Sequence, residues 1–345
     1  MFSVEQIHDA LKDVKYPGFS RDIVSFGLVK DVRISGADVE VRIALATGDR
    51  KIPAAIHEAA AARLRAVRGI GKVDVKIDVQ APPAAPEAAA GPQGIPGVKR
   101  VIAIASGKGG VGKSTVAANL AVALQRGGLR VGLCDCDLYG PSIALMFGAN
   151  ERPTADDENR IIPIERHGVR LMSMGFLLDD DSPAVLRGPM VTRYTQQFLR
   201  QVAWGELDCL LLDLPPGTGD IQLTIVQTVA LTGAIVVTTP QEVALIDARK
   251  ASRMFAKTNV PVLGIIENMS YFQCPGDGVK YDLFGRGGGA REAQRLGVPL
   301  LGEIPIEVAV REGGDVGRPV AEFARDTISG TAFAQIAGRI VEHLK

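Results

Sequence analysis

No apolar run in the chain approaches the ~20 residues that a membrane-spanning helix requires, so the sequence offers no candidate span. Its first residues, MFSVEQIHDALKDV, mix polar and apolar side chains and lack the apolar centre of a secretory signal. Cysteine is scarce. The four residues at 134, 136, 209 and 274 show no framework spacing, which argues against a disulfide-stapled secreted domain and fits a reducing compartment. Neither sign of charge prevails: 39 Lys and Arg balance 39 Asp and Glu, leaving no net field to favour nucleic acid or an anionic membrane. Together these absences predict a cytoplasmic protein whose partners include neither nucleic acid nor membrane.

What is present is ordinary for a globular protein, 46% hydrophobic and 23% charged, over a length that suits about two domains. The division falls at QAPPAAPEAAAGPQGIPG, residues 80 to 97, where prolines at 82, 83, 86, 92 and 96 interrupt any alanine-rich helix. The expected organisation is a small module over 1–80, a Pro/Ala/Gly-rich linker over 81–98 and a larger domain over 99–345.

In the small module, Val4, Ile7, Ala10, Leu11 and Val14 share a helical face. Two alternating stretches follow, with Gly36-Ala37-Asp38 as the turn between them, then a helical pattern over 53–67 and the alternating KVDVKIDV. The predicted order is αββαβ. The larger domain repeats short apolar runs separated by helical patterns: VIAIA (101–105), RVGLC (130–134), DCLLLD (208–213), AIVVTT (234–239) and VLGIIE (262–267). Runs of this kind are parallel strands covered on both faces, so the fold class is α/β, a doubly wound and mainly parallel sheet. Ligands of such sheets bind at the carboxyl ends of the strands.

The first of those strands runs into GKGGVGKST, residues 107–115, which fits both G-x-G-x-x-G and G-x-x-x-x-G-K-[ST]. A dinucleotide loop has no use for a lysine and hydroxyl after its last glycine. A triphosphate loop needs both, an ammonium on the β/γ-phosphates and an oxygen on Mg²⁺. The triphosphate reading therefore places ATP on Gly107, Lys108, Gly109, Gly110, Val111, Gly112, Lys113, Ser114 and Thr115, with Ser114 as a Mg²⁺ ligand.

Carboxylates at neighbouring strand ends complete the expected site. Asp213, in CLLLDLPPGTGD, suits the Mg²⁺-holding role; Asp135, in LCDCDLYGPS, ranks ahead of Asp137 for orienting or deprotonating the attacking water. Gly217 lets the loop after Asp213 approach the γ-phosphate. The expected catalytic set is Lys108, Lys113, Asp135 and Asp213, and the chain is predicted to be an ATPase.

The K-G-G-V-G-K-S pattern resembles the deviant Walker A loop of the ParA, MinD, nitrogenase-reductase and Mrp group. The succession GKGGVGKST, DCDLYGPS, LRGPM, LDLPPGTGD, TTPQEVALIDARK, ENMSYF and LFGRGGG resembles the Mrp/ApbC-type iron–sulfur cluster carriers over nearly the whole chain. The N-terminal module is similar to one found in iron–sulfur assembly factors. The resemblance implies a homodimer in which Lys108 reaches the partner's nucleotide. It also implies an adenine contact from Asn268, and delivery of clusters from an assembly scaffold to apo client proteins. In that family ENMSYF is followed by C-P-x-C, whereas here it is followed by Cys274-Pro275-Gly276-Asp277. Three readings of the cargo site stay open: Asp277 completes a labile cluster, Cys274 bridges a smaller one with its mate or a client, or cluster binding is lost. The alternative function is a positioning or scaffold ATPase of the MinD/ParA kind, whose membrane-binding helix would have to be AFAQIAGRIVEHLK at the C-terminus.

Overall fold

The computed structural model describes residues 3–15, 22–24, 28–46, 51–80, 92–137, 140–158, 160–176 and 199–344. LRGPM, Leu138 and Tyr139 of DLYGPS, and most of the proline-rich stretch lie outside the described residues. The chain divides into two compact units, Met1–Ala90 and Gly91–Lys345.

The first unit has the order αββαβ: α1 (Val4–Leu11), β1 (Val29–Ser35), β2 (Asp38–Ala46), α2 (Lys51–Arg65) and β3 (Val73–Gln80). Ser3 starts α1 with a reciprocal cap, its hydroxyl accepting from Gln6 N and its own N–H donating to the Gln6 side chain. Ile7, Leu11 and Val14 are buried, while Val4, which opens the helix, stays exposed. β1 and β2 form an antiparallel hairpin through Gly36 at φ 63°. β3 then joins β2 in parallel across α2, and Asp38 Oδ1 pins its start by accepting from Lys72 N at 2.8 Å.

The second unit is built on a sheet whose centre is β4 (Val101–Ala105). Beside it lie β8 (Cys209–Asp213) and β9 (Gly233–Thr238). β5 (Val131–Asp135) and β7 (Val169–Ser173) continue on the β8 side, edged by the antiparallel β6 (Ile164–Arg166). On the other side, β10 (Val262–Gln273) pairs in parallel with β9 and with β12 (Leu300–Ile306), and in antiparallel with β11 (Lys280–Tyr281). Every residue of β4, β5, β8 and β9 is buried, as strands covered on both faces must be. The helices that lie wholly within the described residues are α3 (Lys113–Arg126), α4 (Ile143–Met146), α5 (Asp220–Thr228), α6 (Glu242–Lys257), α7 (Gly288–Leu296), α8 (Val308–Asp315), α9 (Val320–Phe323) and α10 (Ile328–His343).

Two features of this sheet position the site. The sheet changes winding direction at β4, so the loop after it opens at the carboxyl edge where a doubly wound sheet takes its ligand. The parallel register sets Asp135 directly across from Asp213 at that same edge. The C-terminal helix α10 buries Phe333, Ile336 and Ile340 in the main core, and Gly302 of β12 is closed to any side chain because a Cβ there would lie 2.5 Å from Ile336. The apolar face that a membrane-binding helix would need is thus committed to the sheet.

Candidate nucleotide site

Residues 107–112 wrap from the end of β4 to the start of α3, and their glycines are dictated by geometry. Gly110 and Gly112 have φ of 79° and 76°, the left-handed region that side chains with a Cβ avoid. A Cβ on Gly112 would fall 2.3 Å from Asn268 Nδ2, and one on Gly107 would fall 2.0 Å from the carbonyl carbon of Asp247 in α6. Gly112 caps α3 without a side-chain hydrogen bond, so the first N–H groups of a 14-residue helix remain available to an anion. Gly107→Ala is expected to cost about 1–3 kcal/mol by overpacking against backbone. Gly338→Ala, in the open interior of α10, should instead stabilise by about 1 kcal/mol. Thermal denaturation of the two variants should show shifts of opposite sign.

The loop lines a cavity of about 240 Å³ with Ser106, Asp137, Ser142, Met146 and Pro216. Lys108, Lys113, Ser114 and Thr115 all face it. Lys113 is 6% exposed and Asp213 is fully buried; the ammonium donates to Asp213 Oδ1 at 2.6 Å and to Ser114 Oγ at 3.2 Å. Burial pushes the Asp213 carboxyl up, and the Lys113 charge opposes that. Among the described residues no donor reaches Asp213 Oδ2, which leaves a buried carboxylate oxygen with capacity to spare. An orphaned carboxylate oxygen behind a lysine and a serine hydroxyl fits a hydrated divalent cation at this corner.

The two aspartates of DCD have different surroundings. Asp135 is 1% exposed and both its oxygens are engaged: Oδ1 accepts from Asp137 N at 3.1 Å, while Oδ2 accepts from Ser142 N, Ile143 N and Ser173 Oγ at 3.0–3.2 Å. Burial, then the neighbouring Asp213 charge, raises its pKa to about 7. Asp137 instead lines the cavity. Asp135 ties the loop after β5 to β7 and the start of α4, whereas Asp137 is the carboxylate of the pair that faces the cavity.

Gly217, at φ 94°, donates its N–H to the Ser106 carbonyl at 3.0 Å, linking the loop after β8 to the phosphate loop. Gln222 of α5, not singled out by sequence, holds that loop from behind by donating to the Pro215 carbonyl. Asn268 is buried and donates to the Val111 carbonyl at 2.9 Å, so it braces the phosphate loop.

Cys274 lies elsewhere, in the turn between β10 and β11, where it lines a separate cavity with Pro305, Val308 and Ile328. The turn is closed by Cys274 N to Val279 O at 3.0 Å and by Gly278 N to Cys274 O at 2.9 Å. Asp277 accepts from Val279 N at 2.9 Å and from the Tyr281 hydroxyl at 3.3 Å; the Val279 bond foremost, then the Cys274 side chain and the Tyr281 hydroxyl, hold its carboxyl below the usual range against the opposing effect of burial. The other three cysteines are buried. Contact with Cys134 and burial push the Cys136 thiol up, and burial lifts that of Cys209 to about 12, so neither offers a thiolate. Among the described residues no group of three or more His, Cys, Asp or Glu side chains could hold a metal ion.

A model of the NUBPL iron-transfer P-loop NTPases matches residues 97–341. The chain belongs to this family. A model described as an iron–sulfur cluster assembly protein matches residues 4–89. A protein of Deinococcus radiodurans named iron–sulfur cluster carrier protein is 47% identical over 329 residues, covering 95% of this chain and 92% of that one. One of the same name from Synechocystis is 42% identical over 345 residues, covering 99% and 97%. Among solved structures, a nucleotide-binding protein of Archaeoglobus fulgidus in complex with ADP is 42% identical, with a TM-score of 0.58 over 64% of this chain and 87% of that one. The cell division ATPase MinD of Pyrococcus furiosus is 26% identical, with a TM-score of 0.55 over 70% and 98%. The chain is a P-loop NTPase of the iron-transfer branch. No described helix is long and apolar enough to cross a membrane.

Proposed function

We propose that this protein is an ATP-hydrolysing carrier that delivers iron–sulfur clusters to apoproteins in the cytoplasm and acts as a homodimer. The observation that carries the ATPase half is the buried Lys113–Asp213 pair beside Ser114 at the floor of a glycine-walled cavity. The cargo half rests on the family and on the naming of its relatives, and Cys274 is the one cysteine of the chain that is not buried.

In this reading Lys113 exchanges its contact with Asp213 for the β/γ-phosphates, and the uncapped start of α3 receives the same charge. Ser114 and Asp213 would hold Mg²⁺, which would supply positive charge against the phosphate oxygens. Asp137 orients the attacking water, and Asp135 positions Asp137 through its backbone N–H. Lys108 is the second cation at the phosphates and serves the partner's nucleotide in the dimer. The Gly217 N–H, bonded to Ser106, is the switch group that transfers to the γ-phosphate.

With Cys134, Cys136 and Cys209 buried, a dimer offers two accessible thiols and not four, so the cargo is bound through Cys274 of both protomers with non-thiolate or client ligands completing it. Anaerobic reconstitution with iron and sulfide tests this. Wild type is expected to retain iron and sulfide in equal numbers, with Cys274→Ser retaining neither while hydrolysing ATP at the parental rate. Iron retained equally by the serine variant would sink the cargo assignment and leave the ATPase standing.

A further inference from the structure

Helix α6 buries Ala244, Leu245, Ala248, Ala251, Met254 and Phe255 against the core. Its other face carries Val243, Ile246, Lys250, Arg253 and Lys257, at intervals of 3, 4, 3 and 4 residues, the spacing that keeps side chains on a single seam. Val243 is 58% exposed and Ile246 44% exposed, so the seam begins with two adjacent β-branched apolar residues in water. Three cations follow. Lys250 is paired with Asp247 at 2.9 Å; Arg253 and Lys257 make no ion pair among the described residues. Beside the cations a groove of about 350 Å³ separates α6 from α5, with Leu223 and Met254 as its apolar lining and Thr218 at its end.

We propose that this seam is a docking surface for an acidic amphipathic helix of a partner protein, one bearing two apolar side chains followed by carboxylates on one face. Charge and polarity select that occupant. A second copy laid antiparallel would set Val243 and Ile246 against Arg253 and Lys257, and a parallel copy would set three cations against three cations. A nucleic acid would leave the apolar end of the seam uncovered. A helix with apolar residues first and carboxylates after satisfies both ends, in the helix-in-groove manner.

The position gives the contact a purpose. Asp247, in the middle of α6, packs its backbone so closely on Gly107 that only glycine fits there. Thr218 follows Gly217, whose N–H bonds Ser106. A helix on this seam thus touches the elements that hold both nucleotide loops. Its affinity depends on the bound nucleotide, and by reciprocity it changes nucleotide affinity in turn.

The test uses the full chain and a labelled synthetic helical peptide carrying two leucines and then three glutamates on one 3-4 seam. Comparison probes are a scrambled peptide of the same composition, duplex DNA, and vesicles of phosphatidylglycerol. The seam peptide is expected to bind, the scrambled one about tenfold or more weaker, and ATP to shift the affinity against the nucleotide-free protein. Arg253→Glu with Lys257→Glu, and separately Ile246→Ser, should each weaken binding about tenfold or more, the effect of losing an anchor. Peptide-free ATPase should be unchanged in all of them. Equal binding of the scrambled peptide, DNA or vesicles would reduce the seam to a plain anion patch and overturn the proposal. So would failure of the peptide to bind, indifference to nucleotide, or binding that ignores the substitutions.

Discussion

Asp213→Asn is expected to slow ATP hydrolysis by about a hundredfold to a thousandfold, the usual cost of removing one transition-state charge stabiliser, while ADP binds as tightly as to the parent or more tightly. The two effects have different sources. Hydrolysis falls because Asp213 is the carboxylate available to hold the cation, and an amide is a weaker ligand for a hard divalent ion. Binding does not fall, because Asp213 competes with phosphate for Lys113. The ammonium and carboxylate lie 2.6 Å apart in a buried setting, so incoming phosphate must displace that contact. Neutralising the carboxylate removes the competitor. It also strands the buried ammonium, which should lower the stability of the nucleotide-free protein by about 3–5 kcal/mol. Much of that loss should return on adding ADP, whose phosphates become the counter-charge. Calorimetry, thermal denaturation with and without ADP, and turnover at saturating ATP separate these effects. A variant with parental turnover would show that Asp213 does not serve the metal. A variant whose stability ADP fails to restore would show that Lys113 does not reach the phosphates.

The central strands were legible because a parallel strand covered on both faces must be a continuous apolar run, as VIAIA and CLLLD are. The phosphate loop was legible because its glycines, lysine and serine are adjacent in the chain. β12 was not, since Gly302, Glu303 and Pro305 break the apolar run and its pairing with β10 is settled only in three dimensions. β10 continues past the apolar run that ends at Glu267, through Met269 at φ 54°, to Gln273. This continuation joins the residue that braces the phosphate loop to the turn that holds Cys274. The different surroundings of Asp135 and Asp137 were equally hidden. Two aspartates two positions apart look alike in sequence, and they differ because hydrogen bonds from Asp137 N, from Ser142 N and Ile143 N at the start of α4, and from Ser173 of β7 converge on the first. The seat of Gly107 against Asp247 lies 140 residues away along the chain and leaves no local mark.

Asp277→Cys is expected to lengthen retention of reconstituted iron against a chelator by about tenfold or more, the equivalent of ~1.4 kcal/mol in cluster affinity. The position is two residues beyond Pro275 in an exposed turn, and the substitution creates the C-x-x-C spacing that brings two sulfurs to one metal. Thiolate is the softer ligand and suits iron–sulfur clusters better than carboxylate. The structure shows what the aspartate does instead. Its oxygens accept from Val279 N and the Tyr281 hydroxyl, so the carboxylate is spent on shaping the turn around Cys274. As a ligand, Asp277 would first have to give up these hydrogen bonds and would hold a metal loosely, which suits the carrier role proposed above. Asp277→Ser separates the two roles, since a hydroxyl can still accept from Val279 N but supplies no thiolate. If the cysteine variant retains iron no longer than the serine variant, the turn and not the ligand set limits the cargo. If it retains iron far longer and transfers it to an apoprotein more slowly, then the aspartate in place of a second cysteine sets the release rate.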